Sequence, residues 1–220
     1  MLELLKFLAR QRFVGFEVPD NPQFGSGEAT AWFLEKLGQS KRYLEYGTGG
    51  STYAAARLGI DFIAVDSDRY FLESVRNKIR NDGLTKAAGQ TFHYADIGLT
   101  GHWGHPLGSS HASAGRVEQF RRYSDPPTIC RSGGTLPDLV LVDGRFRVAC
   151  ALKALRMLQN ERGWTIAIDD YADRPHYNAI ADFAEIDCFI AGRIAVLTTP
   201  KPISVEALDS AIRRYETVPY

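Results

Sequence analysis

The sequence predicts an α/β fold in which helices cover both faces of a parallel sheet. Three observations lead there. Short, uninterrupted apolar runs such as Leu139–Val142 recur along the chain, the pattern of strands buried on both faces. Amphipathic helical stretches alternate with these runs. A turn without bulk, Gly47-Thr48-Gly49-Gly50, joins the first run to a helix, as βα units do beside a ligand. At 220 residues the chain suits one well-cored domain, so residues 1–220 are expected to form a single unit.

The elements follow in order. Residues 1–39 are expected to hold two leading helices, Leu2–Gln11 and Gly27–Leu37, the second with Trp32, Phe33 and Leu37 on one face. Tyr43–Tyr46 is strand-like, Ser51–Leu58 helical, Phe62–Val65 strand-like and Tyr70–Asn81 helical, ending at Asp82-Gly83. Thr91–Tyr94 is a third strand and Leu139–Val142 a fourth, followed by a helix at Val148–Leu158. Trp164–Ile168 is a fifth strand and His176–Phe183 a helix. The tail offers Phe189, a strand at Arg193–Leu197 and a helix at Val205–Tyr215. Residues 98–136 break the rhythm: about forty residues rich in Gly, Ser, His, Arg and Pro, an insertion expected to be a surface loop or a lid.

Composition narrows the function. Apolar residues are 45% and charged residues 24%, an ordinary globular balance. Lys+Arg and Asp+Glu are both 26, so nucleic acid and anionic membranes gain no electrostatic support. No apolar run approaches the ~18 residues of a membrane span. The opening MLELLKFLARQ reads as an amphipathic helix without a cleavage site, not as a signal peptide. Cys130, Cys150 and Cys188 are odd in number and widely spaced, against a disulfide framework or a zinc site and in keeping with a reducing cytoplasm.

The glycine turn carries the strongest functional signal. It stands between a strand and a helix whose first N–H groups are unsatisfied. Asp66 ends the next strand 19 residues beyond Gly47, near the spacing at which a carboxylate meets ribose hydroxyls. The dinucleotide fingerprint G-x-G-x-x-G fails, because Thr52 stands at its third glycine. Glu45 just before the turn would oppose a pyrophosphate but suits an ammonium or sulfonium ligand.

LEYGTGGST followed by AVDSD resembles motif I and the acidic loop after it in class I S-adenosylmethionine-dependent methyltransferases, and YADI, PDLVLVDG and TIAIDDY extend the likeness over roughly residues 40–200. The resemblance implies a Rossmann-like, doubly wound sheet of seven mostly parallel strands, the last antiparallel and supplied by Phe189–Leu197. It also implies S-adenosylmethionine as cofactor. Glu45, Gly47 and Gly49 would surround its methionine part, Asp66 would take the ribose hydroxyls and Asp96 would meet the adenine edge; Thr48, Ser51 and Ser67 complete the set.

Asp143 after the fourth strand and Asp169-Asp170 after the fifth converge on one rim of the sheet. Hard cations such as Mg2+ or Ca2+ prefer such oxygen ligands. The arrangement is similar to the metal-dependent O-methyltransferases of the catechol and caffeoyl-CoA type. Two departures stand out. Asp170 replaces their Asn, and Phe146 stands where they carry a lysine base. Asp143 and His176 are the catalytic candidates, His176 for its near-neutral titration. Arg145, Arg147 and Arg174 offer charge to a carboxylate or phosphate on the substrate. His102 and His105 lack the further ligands of a metal site.

The expected activity is methylation of a small molecule at oxygen, in the cytoplasm. The rivals are an NAD(P)-dependent oxidoreductase and a non-catalytic S-adenosylmethionine-binding protein. The expected partner is a small-molecule substrate, with an anionic one favoured by the arginines. A homodimer stays open. A membrane is not expected, and nucleic acid has only a local patch in its favour: Arg116, Arg121, Arg122 and Arg131.

Overall fold

A computed structural model describes residues 2–108, 113–127, 130, 136–202 and 204–219. Helix α1 (Leu2–Ala9) runs on into a π-helical stretch, Arg10–Val14, and α2 (Gly27–Gln39) follows, its N-terminus capped by the Ser26 side chain. Then come β1 (Arg42–Tyr46), α3 (Gly50–Leu58), β2 (Asp61–Asp66), α4 (Arg69–Asn81) and β3 (Gln90–Tyr94). Asp68 caps α4 through the amides of Tyr70 and Phe71, and Gly83 leaves the helix at φ +70°. The second half holds α5 (Ala114–Ser124), β4 (Leu139–Val142), α6 (Arg147–Leu158), β5 (Thr165–Ile168), β6 (Cys188–Ile190), β7 (Ile194–Leu197) and α7 (Val205–Tyr215).

The strands form one seven-stranded sheet in the order β3-β2-β1-β4-β5-β7-β6. The β1–β5 strands are parallel, and β7 runs antiparallel between β5 and β6. Side chains alternate across it. Leu44, Tyr46, Val140, Val142, Ile166 and Ile168 meet α5, α6 and α7 on one face. Tyr43, Phe62, Ala64, Leu139, Leu141 and Ala167 meet α2, α3 and α4 on the other. The doubly wound fold is therefore as expected.

Two expectations change. His176–Phe183 winds as a 3₁₀ helix over Pro175–Asp182, not as an α-helix. The 98–136 segment is no loose loop where it is described, because α5 lies within it. Parallel strands β3 and β4 need a crossover, and α5 supplies it. Phe120 and Tyr123 of α5 are fully buried against Phe146, at ring-centroid distances of 5.1 and 5.6 Å. Ion pairs fix its far end, Arg121 and Lys153 both reaching Glu216 at 2.9 and 2.7 Å.

Candidate active site at the switch point

Strands β1 and β4 are neighbours, with Tyr46 opposite Val142. The chain leaves β1 for one face and β4 for the other. The crevice between such diverging turns is where open α/β sheets receive ligands. Both turns are bare, and for different reasons. Gly47 has φ +98°, and a Cβ there would lie 2.7 Å from the Gly144 amide nitrogen. A Cβ on Gly50 would collide with the Asn21 carbonyl oxygen, and one on Gly144 with the Tyr123 hydroxyl. A Cβ on Gly49 would meet nothing within 4 Å. Two glycines of the turn thus admit the protein's own backbone, and Gly49 leaves a free face.

The two acids beside the turn are held inside. Asp66 Oδ2 accepts the Thr48 amide at 2.9 Å and the Thr48 hydroxyl at 2.6 Å, and Oδ1 accepts the Asp68 amide at 2.8 Å. Glu45, wholly buried, accepts hydrogen bonds from the Thr52 hydroxyl and, at 2.5 Å, from Tyr43. Thr52 in turn accepts the Gly49 amide at 3.0 Å. Burial pushes the Glu45 pKa up to about 7, against the pull of these donors. Burial likewise raises Asp66. Both acids shape the turn before they can serve a ligand. Ser51 is buried with them.

Farther along the same rim lies a cavity of about 280 Å³, lined among others by Gln11, Arg12, Ser67, Asp68, Tyr94 and Asp96. Asp96 is exposed and accepts the Gly98 amide at 2.8 Å. Ser67 donates to the Gly104 carbonyl at 3.2 Å, so the His102–Gly104 turn closes one side. His102 stacks on Phe7 at 4.2 Å, which gives that histidine a packing role.

The carboxylate rim is the most heavily charged part. Asp143, Asp169 and Asp170 converge as expected, with ligand atoms within 4.8 Å of one another. Arg147 reaches Asp143 at 3.0 Å and Asp170 at 3.2 Å, and donates to the Asp169 carbonyl at 2.7 Å. Arg193 grips both oxygens of Asp169 at 2.7 and 2.8 Å and touches Asp170 at 2.6 Å. Arg174 adds a 3.3 Å contact to Asp170. Desolvation by the protein packed around it raises the Asp143 carboxyl although 36% of the side chain is open, Arg147 opposes the rise and Asp169 and Asp170 add to it. Hydrogen bonding to Asp169 raises Arg193 above the ordinary arginine value.

No protein-family model and no curated protein matches the chain. Among solved structures, a methyltransferase-like protein from Silicibacter pomeroyi is 31% identical with a TM-score of 0.74, the match covering 91% of this chain and 100% of that one. The chain belongs to the class I S-adenosylmethionine-dependent methyltransferase family. An O-methyltransferase from Streptomyces achromogenes in complex with S-adenosylmethionine (17% identity, 98% and 85% covered, TM-score 0.45) and one from Bacillus cereus in complex with S-adenosylhomocysteine (15%, 90% and 91%, 0.46) are too distant to add to that likeness.

In this methyltransferase the open face of Gly49 and the cavity at Ser67 and Asp96 fit an adenosyl ligand laid along the strand ends. The acidic triad does not fit a divalent cation as arranged: its oxygens already hold Arg147, Arg174 and Arg193, and a metal would add two positive charges beside the buried Arg147 guanidinium. The position at which the catechol and caffeoyl-CoA type would carry a lysine base is closed too, since Phe146 sits in the core at φ +54°. His176 is exposed, its ring edge-on to Tyr177 at 4.6 Å.

Arg147 and Arg174, expected to face a substrate, are ion-paired within the rim; only Arg145 of the three retains the expected freedom among the described residues. Among the described residues the insertion's arginines each have a partner. Arg116 donates to the Leu107 carbonyl, Arg121 pairs with Glu216 and Arg122 with Glu118, and Arg131 lies outside the described residues. Sequence reasoning missed Arg193 and Tyr123. Only the β5–β7 register, Ile168 opposite Ala195, brings Arg193 to Asp169, and nothing local signals it. Tyr123 was findable through the crossover that β3 and β4 require.

Proposed function

We propose that this protein transfers a methyl group from S-adenosylmethionine to an oxygen of a small molecule. The observation that carries the reading is the free face of Gly49 at the switch point, next to the cavity at Ser67 and Asp96. S-adenosylmethionine supplies an electrophilic methyl group on a sulfonium. The chain's part is to bind, align and exclude water. Gly49 lets a ligand approach the backbone, Ser67 and Asp96 offer polar groups to its adenosine end, and Asp143 faces the rim with 36% of its side chain open. With the lysine position buried and the triad neutralised by arginines, the acceptor oxygen must ionise readily by itself.

A second reading has a specific observation in its favour. The arginine-filled triad and buried Phe146 also suit a protein that binds the cofactor without turnover. Calorimetry with S-adenosylhomocysteine and with NADH, followed by transfer of a labelled methyl group to a panel of acidic small molecules, separates the cases. Binding with transfer supports the enzyme, and binding without transfer to any of them supports the second reading. Binding of NADH alone sinks both.

A further inference from the structure

The rim carries four guanidiniums and three carboxylates. Arg147, Arg174 and Arg193 are paired with Asp143, Asp169 and Asp170, so those charges balance. Arg145 is the excess. Among the described residues no carboxylate pairs with its guanidinium, and its Nε is buried without a hydrogen-bond partner. Its backbone amide is engaged, donating to the Tyr123 hydroxyl at 3.1 Å, which fixes where the side chain starts. The residue as a whole is partly exposed. Beside it the Tyr177 hydroxyl is also buried and unpartnered, within the field of Arg145, Arg147 and Arg174. Buried polar groups without partners are rare in proteins, and two in one place at a substrate-facing rim call for an external partner.

We propose that Arg145 anchors an oxyanion subsite that takes the carboxylate of a monoanionic acceptor. This rests on the methyltransferase reading of the rim and names the class of substrate it serves. A guanidinium fork matches a carboxylate in shape and charge. A single excess positive charge balances one negative charge. A phosphate dianion would leave uncompensated charge beside Asp143 and Asp170, a costly arrangement where water is scarce. Burial and the neighbouring Arg147 both pull the Arg145 pKa below the ordinary arginine value, as expected of a cation short of counter-charge.

Calorimetry with benzoate, benzamide and inorganic phosphate, with and without saturating S-adenosylhomocysteine, tests it. Benzoate should bind at least tenfold more tightly than the other two. Arg145→Gln should lose benzoate affinity tenfold or more while S-adenosylhomocysteine affinity holds, and Arg122→Gln, on the surface of α5, should change neither. Should Arg145→Gln fail to fold, Arg145→Lys carries the test: it keeps the charge, loses the fork and should bind benzoate several-fold more weakly. Equal benzoate affinity in the Arg145 variant, phosphate binding better than benzoate, or no benzoate binding by protein that holds S-adenosylhomocysteine overturns the subsite. Arg145-dependent benzoate binding without any S-adenosylhomocysteine binding upholds the subsite and overturns the methyltransferase reading alone.

Discussion

Gly47 and Gly144 touch backbone to backbone: a Cβ on Gly47 would sit 2.7 Å from the Gly144 amide nitrogen and 2.8 Å from its Cα. This contact closes the floor of the crevice where the β1 and β4 turns diverge, and it divides the glycines of the first turn into two kinds. Gly47 and Gly50 are needed for folding, Gly49 for access.

Three alanine substitutions should therefore part company. Gly47→Ala combines a clash with a positive φ and should destabilise by several kcal/mol, roughly the cost of overpacking plus backbone strain. Gly50→Ala should do similarly against Asn21. Gly49→Ala, extended at φ 165° and with open space around it, should melt within about 0.5 kcal/mol of the parent, the usual range for surface changes. Its S-adenosylhomocysteine affinity should nevertheless fall. Thermal melts and calorimetry on the three variants read both effects, and unchanged affinity in Gly49→Ala removes the turn from the ligand site.

Asp66 yields a second prediction. Its carboxylate organises the turn through Thr48 and Asp68, so Asp66→Ala strands two buried backbone amides. The expected loss is about 2–6 kcal/mol, from roughly 1–3 kcal/mol for each of the two unsatisfied groups. Thr48→Val removes only the hydroxyl bond and should cost about 1 kcal/mol. Urea unfolding measures both. A ribose contact by Asp66 adds a tenfold or greater loss of S-adenosylhomocysteine affinity in Asp66→Ala but not in Thr48→Val. Equal losses in the two variants would mean that Asp66 acts through the loop alone.

The strands were legible because burial on both faces leaves no polar position in β4 and confines polar residues to the ends of β2 and β5. Helix α5 was not, because Arg116, Glu118, Gln119, Arg121 and Arg122 surround the few residues that face the core. Its amphipathic signal is diluted, and only the topology demands it. The site divides the same way. The converging aspartates follow from strand order, each lying just past a parallel neighbour. Their neutralisation by Arg193 depends on an antiparallel register about 25 residues downstream, a non-local pairing that no short pattern encodes. Likewise, the residues show that a turn is bare but not which backbone runs against each glycine.

Glu45 makes stability depend on pH in an unusual direction. Its carboxyl releases a proton near 4.5 when unfolded and near pH 7 when folded. Between those values the folded state binds more protons, so stability falls as pH rises through the window and levels off above it. The contribution lost is up to about 3 kcal/mol, at about 1.4 kcal/mol per pH unit. Glu45→Gln has no such proton to lose. The difference in unfolding free energy between parent and variant should therefore shift in favour of the variant between pH 5 and pH 8, as measured by urea unfolding. A pH-independent difference would place the Glu45 carboxyl in better contact with water than its burial indicates.

The arginine-filled triad yields the last prediction. Arg147 is 5% exposed and holds Asp143 and Asp170 together with the Asp169 carbonyl. Arg147→Met removes the cation and leaves carboxylates facing one another, which should destabilise by about 3–5 kcal/mol, as breaking a buried ion pair does. If repulsion is the cause, the second change Asp143→Asn should restore part of the loss, because the remaining carboxylates still have Arg193 and Arg174. The same variant offers a test of cation binding. In the parent, magnesium should leave the melting temperature unchanged, since guanidiniums hold the ligand oxygens. In Arg147→Met those oxygens are released, and magnesium should raise it. A magnesium-dependent rise in the parent would mean that the arginines yield to a metal, and the rim would then work by the oxygen-ligand chemistry that its three aspartates first suggested.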